Sequence, residues 1–264
     1  MKLPLGALLQ HVLSARWLVR RRLAKLVPLQ DRFLTKVAVS RTYAIPDLHG
    51  RLDLLDRAID LVARHAEGMA STVITLGDYV DRGPHSRQVI ERLMNWRPDG
   101  LKVVNLKGNH EAMMGAVCEN RAELDWWIRN GGGETLASYE QSPVLPDLRA
   151  IPAEHLDWIA NLPLLHVDRH RVFVHAAVDP KIPLERQNEE TLLWKRYPGD
   201  VDVGHGHRHV VHGHHANAQA PIAGKHKTNL DGLAWKTGRL VIGVFDDGRP
   251  GGASEYLEVF GHEM

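Results

Sequence analysis

From Arg41 onward the chain alternates short aliphatic runs with longer amphipathic stretches, and this alternation restricts the possible folds more than any other feature. Residues 42–45, 72–76 and 102–106 are brief and rich in β-branched or aliphatic side chains, as buried strands are. Between them, Leu52, Leu55, Ile59 and Val62 mark one helical face, and Val89, Ile90, Leu93 and Met94 mark another. Strand-helix-strand-helix-strand order implies parallel strands joined by helical crossovers, hence an α/β fold. Residues 111–129 read as a third helix that ends at Asn130-Gly131-Gly132-Gly133, where glycine takes the left-handed C-cap conformation. Residues 171–174, 210–212 and 240–245 read as further strands. Pro143, Pro146, Pro152 and Pro163 make the middle segment rich in loops.

Each strand-like run ends in side chains of metal-ligand type. The first gives Asp47-Leu48-His49-Gly50, the second Gly77-Asp78-Tyr79-Val80-Asp81-Arg82-Gly83 and the third Gly108-Asn109-His110-Glu111; two later runs end at His175 and Gly213-His214. In open α/β sheets, ligands bind beyond the carboxyl ends of the strands, so these five ends are able to converge. Two Asp, three His and one Asn mix hard oxygen with imidazole, which suits manganese, iron or zinc better than calcium. Six protein donors on one ion leave no open position, whereas sharing them between two ions through a bridging carboxylate leaves room for water. Two such ions activate a hydroxide and clamp a phosphoryl group. Arg82 supplies a fork of donors for phosphate oxygens, and Asp81 with His110 forms an acid pair that delivers a proton to a leaving alkoxide.

The three blocks, with 27 residues between His49 and Gly77 and 26 between Asp81 and Gly108, resemble the signature of the calcineurin-like metallophosphoesterases. The fuller forms of the second and third blocks are similar to the phosphoprotein phosphatase branch, which includes bacterial and phage-lambda-type serine/threonine phosphatases. The resemblance runs from about Tyr43 to Leu240. It implies two β-sheets packed as a sandwich and flanked by helices, with a dinuclear centre at the strand ends. Asp47 and His49 would serve the first metal, Asp78 would bridge, and Asn109, His175 and His214 would serve the second. His110 would be the acid with Asp81 behind it, and a metal-bridging hydroxide would attack in line. Arg196, in Leu192-Leu193-Trp194-Lys195-Arg196, looks like a second phosphate-binding arginine beside Arg82 and Asn109. Asn130 to Thr135 also resembles a stretch of the bacterial members. Pro46, Ala177 and His215 depart from the usual pattern without removing a ligand or acid.

The resemblance implies a phosphomonoesterase acting on phosphoserine or phosphothreonine in a protein, with two divalent ions, manganese foremost. Symmetrical diadenosine tetraphosphate hydrolases share the scaffold and supply the rival substrate. A non-catalytic metal-bearing adaptor is a third reading, disfavoured because every acid and ligand position is filled. His205, His207, His209, His212 and His215 crowd the segment around His214, and any of them has metal-binding chemistry; His214 is chosen because Gly213 follows a valine strand. Arg196 alternatively pairs with Glu189 or Glu190 at the surface. Trp126 and Trp127 read as helix-face packing. A cysteine-based phosphatase is excluded, since the single Cys118 has Leu124, not arginine, six residues on.

Charge divides the chain. Residues 1–36 hold eight basic residues against Asp31 alone, a net +7, so the remainder sums to −6 within an overall +1. Leu9, Val12, Val19, Leu23 and Leu26 lie at helical spacing there, which predicts a basic amphipathic helix that packs on its own domain or rests on an anionic membrane or partner. The expected layout is therefore an extension over 1–36 and one catalytic domain over 37–264. One cysteine fits a reducing compartment, no stretch reaches the length of a membrane span, and no nucleic-acid recognition motif occurs. A cytoplasmic monomer, with possible membrane association only through the first segment, is the expectation.

Overall fold

The computed structural model describes residues 40–142, 145–198 and 201–262; the helix expected within residues 1–36 lies outside them. The alternation beyond residue 41 is present as β1 (Arg41–Ile45), α1 (Leu52–Ala66), β2 (Ser71–Thr75), α2 (Ser86–Asn95) and β3 (Leu101–Asn105). β1 pairs in parallel with β2, and β2 with β3. Both faces of β1 and β2 are covered, which is why these strands are largely aliphatic and lack a solvent-facing polar alternation.

The helix expected over 111–129 is not continuous. α3 (Asn109–Cys118) stops before Asn120, which takes φ 56°, and the chain restarts as α4 (Leu124–Trp127). A wide turn follows in which Gly131 has φ 104°, and α5 (Gly133–Ser138) leaves it. Met113, Met114, Val117, Leu124, Trp127 and Leu136 all pack into one core, so the apolar spacing survives the breaks and imitates a single helix. In the proline-rich segment, Pro152 stands at the N-cap of α6 (Ala153–Ala160), where its missing N–H costs nothing.

The second half contributes β4 (Leu165–Val167), β5 (Arg171–Val174), α7 (Glu189–Trp194), β6 (His209–His212), β7 (Ile222–Ala223), β8 (Lys227–Asn229), α8 (Ala234–Thr237), β9 (Arg239–Asp246) and β10 (Glu255–Phe260). Two mixed sheets result, in the orders β10-β9-β1-β2-β3 and β4-β5-β6-β8-β7. Period-two alternation divides their side chains between layers. Ala44, Ile74, Leu106 and Phe245 on the side of the first sheet meet Phe173 and Val211 of the second between the sheets. Tyr43, Ile45 and Val73 face α1 and α2, while Val172, Val174 and Val210 face Leu192 of α7. The arrangement is a sandwich with helices on both outer faces. Arg171, fully buried, ties the two sheets by donating to the carbonyls of Asp246, Arg249 and Gly251. Among the described residues no helix is long and apolar enough to cross a membrane.

Candidate active site

The strand ends expected to carry chemistry meet at one edge of the sandwich. Asp47 follows β1, Asp78 follows β2, Asn109 opens α3 after β3, His175 follows β5 and His214 follows β6; all but His214 are buried to 5% exposure or less. Five positions of these loops, His49, Asp78, Asp81, Arg82 and His214, hold positive φ between 44° and 72°. Such backbone costs about 1–3 kcal/mol per residue and persists where surrounding contacts over-determine it.

Those contacts are specific. Glu111 Oε1 accepts the N–H groups of Tyr79 and Val80 at 2.8 and 3.3 Å, and its Oε2 accepts those of Asp78 and Gly108 at 2.9 and 2.8 Å. One buried carboxylate thus staples the second block to the third; burial pushes it up to about 7 against the downward pull of those hydrogen bonds. The first and second blocks cross so closely that a Cβ on Gly83 would strike the carbonyl of His49, and one on Gly108 or Gly213 would strike the carboxylate of Asp78 or Asp47.

The donor atoms form a continuous set. His49 Nε2 lies 3.5 Å from Asp78 Oδ2, and His175 Nε2 lies 3.4 Å from Asp78 Oδ1, so one carboxylate faces both imidazoles through different oxygens. Single ligand atoms of Asp78, His175 and His214 lie within 4.8 Å of one another, as do those of His49, Asp78 and His110. Asp47 sits beside them, accepting the His214 N–H at 3.2 and 3.1 Å and raising the proton affinity of Asp78.

The chemistry of this set fits divalent cations. His49 Nδ1 and His175 Nδ1 each face a backbone carbonyl, Val80 O and Leu76 O, both at 2.9 Å, and a carbonyl only accepts. Both protons therefore sit on Nδ1, and burial keeps both rings neutral by lowering their pKa values well below the usual histidine value. The His175 Nε2 lone pair then faces Asn109 Oδ1 at 2.8 Å beside Asp78 Oδ1. Burial first and charge repulsion second, from Asp231 on Asp47 and from Asp47 on Asp78, raise both well above the carboxylate range. Convergent lone pairs and crowded buried carboxylates are what metal ions relieve.

Beside this cluster, His110 Nδ1 donates to Asp81 Oδ2 at 2.6 Å. Burial lowers the His110 pKa, while the hydrogen bond and charge of Asp81 raise it. Arg82 bridges the two groups, donating to His49 Nε2 at 2.8 Å and His110 Nε2 at 3.0 Å, with Trp235 against its guanidinium at 5.5 Å. Arg196 stands near enough for its charge to depress His214, and among the described residues it makes no ion pair with Glu189 or Glu190. The other crowded histidines have protein partners: His205 donates to Ile182 O, His209 Nε2 meets Thr228 Oγ1, and His212 Nδ1 donates to Gly213 O.

Sequence reasoning missed three parts of this assembly. Trp127, expected to be packing alone, donates its indole N–H to both Asp81 oxygens at 3.0 Å, and Thr135 Oγ1 donates to Asp81 Oδ1 at 2.7 Å. The Asn130 to Thr135 stretch therefore forms the floor under the Asp81–His110 pair: Gly131 accepts the Arg82 N–H at 3.0 Å, and Gly132 lies so flat on Trp127 that a Cβ would not fit. Asp231, buried beside Asp47, was also missed, although the rule of polar residues at strand ends points to it just beyond β8.

The profile of the calcineurin-like phosphoesterases matches residues 40–246. The chain is 32% identical over 149 residues to a symmetrical bis(5'-nucleosyl)-tetraphosphatase of Dechloromonas aromatica, covering 56% of this chain and 48% of that one. It spans about half the length of the curated relatives it matches. A solved structure described provisionally as a diadenosine tetraphosphatase superposes with a TM-score of 0.57 at 21% identity, over 86% of this chain and 95% of that one. A protein serine/threonine phosphatase of Saccharomyces cerevisiae gives 0.54 at 15% identity, over 87% and 82%. At these identities the superpositions show a common fold.

Proposed function

The chain belongs to the calcineurin-like phosphoesterase family, and from that membership we propose that it hydrolyses phosphate monoesters of alkyl alcohols, as in phosphoserine and phosphothreonine of proteins. Asp47, His49, Asp78, Asn109, His175 and His214 would hold two divalent ions, manganese foremost by donor type. When bound, such ions polarise phosphoryl oxygens and make water nucleophilic at neutral pH.

The observation that carries the choice of substrate is the Asp81–His110 pair, 2.6 Å apart and braced by Trp127 and Thr135. A positioned proton donor helps in proportion to the basicity of the leaving group. A serine or threonine alkoxide is strongly basic and needs the proton, whereas a nucleoside diphosphate leaves as a stable anion without it. His110 would deliver the proton from Nε2 while Asp81 holds the ring at Nδ1. Arg82, which spans His49 and His110, would turn its fork to the phosphoryl oxygens, and Arg196 would supply a further cation at the same rim.

The names of the curated relatives favour a second reading, symmetrical hydrolysis of dinucleoside tetraphosphates. The test compares kcat/KM, with manganese, on a phosphothreonine peptide and on diadenosine tetraphosphate. A peptide value at least tenfold higher is expected; a tenfold preference for the dinucleotide would replace the first reading with the second.

A further inference from the structure

A cavity of about 380 Å³ lies beside the candidate metal centre, between the segment that follows α7 and the strands β6 and β8. His212 and His215, on either side of His214, form part of its wall together with Arg196, Tyr197, Asp202 and Lys227. Of this wall only Arg196, at the rim shared with the candidate centre, has a part in the chemistry above.

Its charges are unbalanced toward the positive. Lys227 lies 4.9 Å over the ring of Tyr197, and burial lowers its pKa; among the described residues it forms no ion pair, and neither does Arg196. Asp202 is the wall's carboxylate, and it is taken up by the backbone N–H groups of Lys225, His226 and Lys227 at 2.7, 3.0 and 3.1 Å. His212 adds a different demand. Its Nδ1 donates to the Gly213 carbonyl at 2.9 Å, which leaves a lone pair on Nε2, and that atom is buried without a partner. A buried acceptor left unpaired costs about 1–3 kcal/mol, so a ligand that donates to it is favoured.

A fitting ligand therefore carries anionic oxygens for Lys227 and Arg196 and also one hydrogen-bond donor for His212. An ionised carboxylate has no donor, and an uncharged nucleobase has no anion. A phosphoryl group has both when it carries one proton, the form that prevails below its second pKa near 6. We propose that this cavity is a subsite for a second phosphoryl group of the substrate, next to the one that is cleaved. The assignment rests on the phosphatase reading above and narrows it to substrates bearing two phosphates a short distance apart.

Kinetics with manganese test it on four substrates: p-nitrophenyl phosphate, a singly phosphorylated peptide, the same peptide with a second phosphoserine, and diadenosine tetraphosphate. Lys227→Gln should raise KM for the doubly phosphorylated peptide about tenfold, the value of one charge-assisted contact, with kcat held and the two single-phosphate substrates unchanged. Lys227→Arg should restore the affinity. The same KM rise on diadenosine tetraphosphate, in place of the peptide, would assign the second phosphoryl group to a dinucleotide. Equal effects on all four substrates, or none on any, would overturn the subsite. Absence of turnover by the wild-type chain on every ester would overturn the phosphatase reading instead. The subsite then still has a readout, because calorimetric titration of the full chain with inorganic phosphate should show heat that Lys227→Gln diminishes, and identical titrations would defeat it.

Discussion

His110 shows how one side chain acquires a task from its neighbours. Its Nδ1 is committed to Asp81, and Asp81 in turn accepts from Trp127 and Thr135, so the ring has one orientation, with Nε2 turned to Arg82 and the metal-type donors. His110→Asn should lower kcat on a phosphothreonine peptide by about 10²–10⁴, the span of general acid catalysis, and by far less on p-nitrophenyl phosphate, whose leaving group needs no proton. Steady-state rates on the two esters check this, and an equal loss on both would mean that His110 serves something other than proton delivery. Asp81 and His110 were legible in the sequence because they stand in compact blocks. Trp127 and Thr135 were not, since they reach Asp81 from 46 and 54 residues away and only the folded chain brings them there.

At the scale of elements, the placement of donors at strand ends was readable because β-branched runs announce buried strands, and the carboxyl ends of parallel strands open together. Boundaries failed where the core, not the local pattern, decides. The α3 to α5 region keeps one apolar face through two interruptions, so periodicity alone could not expose Asn120 or the turn at Gly131. The short strands β4, β7 and β8 carry too few residues to show an alternation, and with β8 went the signal for Asp231. Among the loops, Gly213 is the sharpest constraint, since any Cβ there invades the Asp47 carboxylate. Gly213→Ala should move Asp47 away from the proposed centre, and elemental analysis of the purified chain should then find about one equivalent of metal against the two expected of the wild type.

Across the whole molecule, buried histidines weaken the fold in acid, while the raised carboxyl of Glu111 acts in the opposite sense. His209 and His212 lie outside the proposed ligand set, and burial lowers both, His212 to about 3. The unfolded chain takes up protons on these rings as pH falls below about 6.5, whereas the folded chain does not. The unfolded state then binds more protons, so stability is full above that pH and declines below it, by up to about 1.4 kcal/mol per pH unit for each such ring. The proposed ligand histidines would add to the same slope, because a histidine must be neutral to bind metal. The melting temperature of the manganese-loaded chain should lose more between pH 7 and 5 in the wild type than in His212→Asn, which lacks the ring; an identical change in the two would show that His212 is protonated alike in the folded and unfolded states.

The closeness of the loops at Gly50, Gly83, Gly108 and Gly213 has a mechanical consequence. Where one strand-end turn presses on the next without a methyl group's clearance, no turn is free to swing out alone, and the assembly behaves like a keystoned arch whose stones are locked by mutual pressure. Ions would have to enter and leave by the solvent side through side-chain rotation, with the backbone standing still. A lesion in any one turn would then register as a displaced resonance in the others, far along the chain from the altered residue.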